Sequence, residues 1–108
     1  MINARAVDFL HPDALILGGI TEFMKVAALA QANDLDVAPH GAQEVHIHLV
    51  AAIPNGLILE YYRESVNPMH GKIWEHELEI KDGYVYAPDR PGLGLVPKWD
   101  TLAEYRVG

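Results

Sequence analysis

Residues 9–41 read FLHPDALILGGITEFMKVAALAQANDLDVAPHG. Residues 9–17 form a mostly apolar run, broken by Pro12 and Asp13 and closed by Gly18-Gly19. Such a run suits a strand buried on both faces, as in a parallel sheet. Thr21 stands where an N-cap would be expected. Behind it Phe23, Val26, Ala27 and Ala30 recur at i, i+3, i+4 and i+7, one face of a helix that stops at Asn33-Asp34. A short second strand is expected at residues 36–39, delivering His40 at its end.

The pattern repeats to the right. After Gly41 a second helix is expected at residues 43–53, with Val45, Leu49, Ala52 and Ile53 facing inward. Pro54-Asn55-Gly56 breaks it, and LILEY at residues 57–61 reads as a third buried strand. Residues 1–8 look like the tail of a helix. The order β-α-β-α-β implies parallel strands joined by right-handed crossovers. Residues 63–108 differ in kind. Lys81-Asp82-Gly83 sits between two alternating runs, a hairpin signal. PDRPGLGL is a stiff turn region, and DTLAEYRV is a short terminal helical segment.

Composition bounds the classes. The chain has 108 residues, 50% hydrophobic and 21% charged, which gives one small ordered domain and argues against disorder. A net charge of −7 disfavours nucleic acid and anionic membranes as partners. With no cysteine, disulfides and thiolate metal sites are excluded and a cytoplasmic location fits. No signal-peptide pattern is visible, so a soluble protein is expected.

In parallel α/β sheets ligands gather at the carboxyl ends of the strands. Asp13, His40 and Glu60 lie near the three expected ends, each one βα unit from the next. With strands about 4.8 Å apart, their side chains could meet over one pocket. Asp13 could fix the His40 tautomer and favour its imidazolium. A partly desolvated, protonated Glu60 could donate to an enolate oxygen. The ordinary readings stand beside these: Asp13 as a turn or cap residue, His40 as a structural or solvated histidine, and Glu60 as an ion-paired strand end.

The literal sequence adds weight. HPDALILGGITEFMKVAALAQANDLDVAPHG resembles the sixth and seventh βα units of the mandelate racemase subgroup of the enolase superfamily, in the mandelate racemase/muconate lactonizing enzyme family. EVHIHLVAAIPNGLILEYY resembles the eighth unit, and DGYVYAPDRPGLGL the segment after it. The resemblance implies an α/β fold, a partial (β/α)8 TIM barrel made of its last three βα units and followed by a C-terminal β-hairpin segment. Residues 1–62 would supply barrel strands six to eight, and residues 63–108 the hairpin and PGLG turn. His40 would be the general acid/base next to a substrate carboxylate, Asp13 its orienting partner, and Glu60 a hydrogen-bonding electrophile. Enolase-superfamily sites are a known instance of a Lys or His base working with Mg²⁺.

The family's Mg²⁺ carboxylates lie on strands three to five, its further Lys on strand two, and its capping domain is N-terminal. These have no counterpart in the 108 residues, so Mg²⁺ is expected in the complete enzyme and no metal ligand in this chain. The expected function is that of a C-terminal fragment of a Mg²⁺-dependent acid-sugar dehydratase acting through an enediolate. Alternatives are a racemase or epimerase of the same superfamily, and a non-catalytic truncated remnant. The expected partners are a carboxylate-bearing acid sugar in the complete enzyme, and the missing N-terminal barrel portion or a second copy. Neither nucleic acid nor membrane is expected. The chain alone is expected to be inactive. His46 and His48 read as packing or surface residues, Glu75-His76-Glu77 as a solvated face, and Trp74, Tyr84, Tyr86 and Trp99 as packing residues of the hairpin.

Overall fold

The computed structural model describes residues 1–107. Two units are distinguished, Met1–Tyr61 and a second beginning at Tyr62. The first is an α/β arrangement. After a 3-10 turn at Ile2–Ala4 it runs β1 (Phe9–Leu10), α1 (Ile20–Gln31), β2 (Asp36–Val37) and α2 (Gln43–Ala52). β1 and β2 pair in parallel, with Phe9 opposite Asp36 and Leu10 opposite Val37. The pairing outlasts the strands. Ala38 N–H donates to Leu10 O at 2.9 Å, and His40 N–H to Pro12 O at 3.0 Å. On the other side Val37 bridges Gly56 in parallel. Val37 N–H donates to Asn55 O at 2.8 Å and Leu57 N–H to Val37 O at 2.9 Å. β2 therefore lies between two neighbours.

Helix α1 forms where the apolar period predicts it and buries Phe23, Ala27 and Ala30, while Val26 is half-buried. Small residues at 27 and 30 let the helix axis approach the strands closely. The core of this unit is Ala14, Phe23, Ala27, Ala30, Val37, Leu49 and Ile53. Asn55 ties its rim, donating through Nδ2 to Leu35 O at 2.9 Å and Ala27 O at 3.2 Å.

Several sequence expectations are corrected here. The strand expected at 9–17 ends at Leu10. Pro12 offers no N–H to continue a ladder. Asp13 Oδ1 accepts the Leu15 N–H at 2.8 Å, which turns the chain instead. Thr21 is not the N-cap of α1. Gly19 holds that position with φ 109°, and no side chain caps it, a backbone conformation open to glycine. The strand expected at 57–61 is reduced to the bridge at Gly56; Leu57 and Ile58 are exposed. In α2 the inward stripe keeps Leu49 and Ile53, but Ala52 is exposed and Gln43, His46 and Ile47 are buried.

The second unit carries α3 (His70–Ile73), the hairpin β3 (Glu79–Lys81) and β4 (Tyr84–Tyr86), and α4 (Trp99–Ala103). Asp82 (φ 52°) and Gly83 (φ 82°) both take positive φ, as a two-residue turn matched to strand twist requires. A bridge between Trp74 and Pro97 and a Lys98 Nζ bond to Gly71 O at 2.9 Å hold α3 and α4 together. The expected hairpin packing of the aromatics is corrected. Tyr84 and Trp99 are each 70% exposed and Tyr86 is 47% exposed. A two-stranded hairpin has too few neighbouring side chains to cover them. Among the described residues, no helix is long and apolar enough to cross a membrane.

A Cβ added at Gly56 would lie 2.4 Å from the Val50 carbonyl oxygen. Gly56→Ala must therefore push α2 away from the Val37 bridge, at a cost of about 1–3 kcal/mol. Hydrogen exchange should show the Val37 and Leu57 amides losing protection in this variant; unchanged protection would contradict the role of that contact.

Candidate active site

The parallel ladder sets the site. The bond from His40 N–H to Pro12 O places residue 13 beside residue 40. Asp13 Oδ2 and His40 Nδ1 lie 3.0 Å apart. The Asp13 carboxylate is 12% exposed, the His40 imidazole 47%. Ionised Asp13 can only accept, so Nδ1 carries the hydrogen and Nε2 is the nitrogen left to exchange a proton. The other carboxylate oxygen is held by Leu15 N–H. Burial alone would push the Asp13 carboxyl up. The hydrogen bonds from His40 and Leu15 outweigh it and hold Asp13 below the usual carboxylate range.

Glu60 reaches the same place from the third segment. Its Oε2 accepts the Gly41 N–H at 2.6 Å, directly after His40 in the chain. A Glu60 that donates to a substrate must then carry its proton on Oε1. The loop that presents this N–H is bent, with Gly41 at φ 52° and Ala42 at φ 39°, and the second of these is a sparsely populated conformation for a residue with a Cβ.

Two further residues belong to the site that the sequence did not single out. His11 Nε2 stands 3.8 Å from Glu60 Oε2, and its ring meets His40 edge-on at 5.3 Å between centroids. The period of two along an extended segment puts residues 11 and 13 on one side, which is the signal that could have found it. His46 is fully buried, so the surface alternative for it is corrected. Its Nε2 accepts the Ala14 N–H at 2.9 Å, and its Nδ1 donates to Gly41 O at 2.6 Å. It stacks on Phe23 at 5.7 Å. One neutral imidazole thus clamps the turn after β1 to the loop after β2, the two pieces that carry Asp13 and His40.

Among the described residues, the one group of three His, Asp or Glu side chains able to converge on an ion is His11, His40 and Glu60. Two nitrogens and one oxygen do not fit Mg²⁺, which takes near-octahedral oxygen ligation.

The site thus sets a histidine against a half-buried carboxylate, with a second carboxyl beside it, past the ends of parallel strand segments. Residues 1–101 match the enolase C-terminal domain-like family, and the chain belongs to that family, within the mandelate racemase/muconate lactonizing enzymes. It is 43% identical over 104 residues to an L-talarate/galactarate dehydratase of Salmonella typhimurium, a match covering 96% of this chain and 24% of that enzyme. It is 35% identical to a 3,6-anhydro-alpha-L-galactonate cycloisomerase of Streptomyces coelicolor, covering 99% of this chain and 28% of that enzyme. Among solved structures, an L-talarate dehydratase from a Polaromonas species, complexed with Mg and L-glucarate, superposes with a TM-score of 0.82 at 42% identity. That match covers 94% of this chain and 27% of the other. The chain spans about a quarter of the length of the curated relatives it matches.

Two outcomes are expected from the site geometry. Because folding lowers the Asp13 pKa, its charge stabilises the fold above the ordinary aspartate pKa, and that contribution is lost as pH falls through the folded value. The stability gap between the wild type and Asp13→Asn should shrink as pH falls below the ordinary aspartate pKa; a gap that widens there would contradict this. His46→Phe leaves the Ala14 N–H and Gly41 O without their partner, at about 1–3 kcal/mol for each. Its chemical denaturation midpoint should fall accordingly, whereas Phe would be neutral if shape alone mattered.

Proposed function

We propose that this chain carries the acid/base end of an acid-sugar dehydratase active site, and that residues 1–62 supply strands six to eight of a (β/α)8 barrel with residues 63–108 as the segment that follows. The observation that carries this reading is the Asp13–His40 pair at 3.0 Å with Glu60 hydrogen-bonded to the residue next to His40, in a chain 43% identical to an L-talarate/galactarate dehydratase.

His40 Nε2 takes the proton beside the substrate carboxylate, or returns one to a departing β-hydroxyl. Asp13 keeps the Nδ1 hydrogen in place and stabilises the imidazolium that forms. Glu60 hydrogen-bonds the substrate carboxylate as it gains enediolate character. Mg²⁺ belongs to the complete enzyme, with its ligands outside this chain. The substrate class is an acid sugar. Dehydration is preferred to racemisation or epimerisation because several relatives of this chain are acid-sugar dehydratases. The exposed aromatics of the second unit would meet the capping domain of such an enzyme.

A second reading applies to the chain alone. Phe9, Leu15, Ile16, Leu57 and Ile58 are all at least half exposed along the strand segments and their loops. An apolar rim of this kind favours pairing with the rest of a barrel or with a second copy. Alone, the chain would then be non-catalytic.

Acid-sugar dehydration with Mg²⁺ should be assayed for the chain alone and for the chain completed with the N-terminal remainder of its 43%-identical relative. The chain alone should show no turnover. The completed protein should dehydrate acid sugars, and His40→Asn should lower its rate by about 10²–10⁴-fold. A completed, folded protein whose turnover survives His40→Asn would overturn the assignment.

A further inference from the structure

We infer that His11, His40 and Glu60 form a binding site for a late transition-metal dication, with Zn²⁺ as the fitting probe. One ligand atom from each residue lies within 4.8 Å of the others, and the His11 Nε2 to Glu60 Oε2 separation is 3.8 Å. Ligand atoms around a tetrahedral zinc, bonded at about 2.0–2.2 Å, stand roughly 3.3–3.6 Å apart. Separations of up to 4.8 Å therefore need to close by about 1.5 Å at most. The His11 and Glu60 side chains, 45% and 35% exposed, have room to make that movement.

The surroundings prepare the ligands before any ion arrives. Asp13 occupies Nδ1 of His40, which leaves the Nε2 lone pair as the donor. A carboxylate behind a ligating histidine fixes its tautomer and raises its basicity. Gly41 N–H holds Glu60 Oε2, so the second ligand also has a partner of its own. The two imidazoles meet edge-on, with centroids 5.3 Å apart. Asp13 behind His40 and the Glu60 carboxyl as a ligand supply oxygen groups of the sign that suits a dication.

The donor set names the class. Two imidazoles and one carboxylate suit Zn²⁺, Co²⁺ or Ni²⁺, whereas Mg²⁺ and Ca²⁺ take oxygen ligands. The fourth position opens to solvent, because both imidazoles are about half exposed. An ion held here takes the lone pair that His40 needs for proton transfer. Metal binding and acid/base work at His40 are therefore mutually exclusive, and this site would act as a brake.

The test is isothermal titration of the untagged, folded chain with ZnCl₂. One Zn²⁺ per chain should bind, with no heat from MgCl₂ at the same concentration. His11→Gln should weaken Zn²⁺ affinity more than tenfold, and Asp13→Asn by about 10–100-fold through the histidine it supports. His76→Gln, at an exposed histidine of the second unit, should leave it unchanged. Because a variant could lose its fold, imidazole NMR of the wild-type chain provides the second measurement. Zn²⁺ should shift the ring signals of His11 and His40 and leave those of His76 in place. No zinc binding, binding that survives His11→Gln in a folded variant, or zinc-shifted signals at His76 alone would overturn the site. The metal site itself does not rest on the reaction proposed above, whereas its action as a brake rests on that reading of His40. A completed protein without dehydratase turnover whose chain still binds Zn²⁺ through His11 would sink that reading and leave this one standing.

Discussion

The parallel register of β1 against β2 is the constraint on which the site depends. Once Phe9 faces Asp36 and Leu10 faces Val37, the next bonds of the ladder are fixed, from Ala38 N–H to Leu10 O and from His40 N–H to Pro12 O. Residue 13 can then only emerge beside residue 40. A register slip of one residue would send both side chains to opposite faces. The dyad is thus a consequence of backbone pairing, and its side-chain bond adds to a geometry already set.

Pro12 has two effects here. It has a carbonyl to accept the His40 N–H but no N–H of its own to extend the strand. The chain must leave the sheet at that point, and Asp13 turns it by accepting the Leu15 N–H. The same carboxylate therefore shapes the turn with one oxygen and orients His40 with the other. His46 locks the result from below, bonding Ala14 N–H and Gly41 O. A buried polar group with both ring nitrogens satisfied gives specificity that an apolar residue of the same size would not.

Much of this was legible in the sequence, for identifiable reasons. The 3.6-residue period marks Phe23, Ala27 and Ala30 as the buried face of α1, because a helix has one core-facing side. Asp82-Gly83 marks the hairpin, because few residue pairs accept two positive φ values. The extent of the strands was not legible. An apolar run such as ALIL at residues 14–17 reads as strand by hydropathy, yet a local Asp13 hydrogen bond outcompetes the ladder. The LILEY run reads as a buried strand, but with β2 only two residues long it has little backbone to pair with. His46 was hidden for a different reason. Its burial goes with an amide partner on the distant Ala14 turn and a carbonyl partner at Gly41 just before its own helix, and no helical period encodes those. His11 was hidden because its neighbours come from residues 40 and 60.

These partners also explain why the dyad can exist in a quarter-length chain. Among the described residues, Asp13 and His40 are hydrogen-bonded by Pro12, Leu15, Ile16, Leu17 and each other. Positioning is local, so it does not require the rest of a barrel. Chemistry is less local. A proton beside a carboxylate is a weak acid, and its removal needs positive charge placed against the developing enediolate. The residues gathered here offer nitrogen donors and carboxylates but no oxygen cage for a hard cation. The Asp13–His40 pair is thus positioned by neighbours that bring no such charge of their own. With Nδ1 bonded to Asp13, His40 keeps its lone pair at Nε2. In the proposed metal site, a late transition-metal dication shared with His11 and Glu60 would take that same atom.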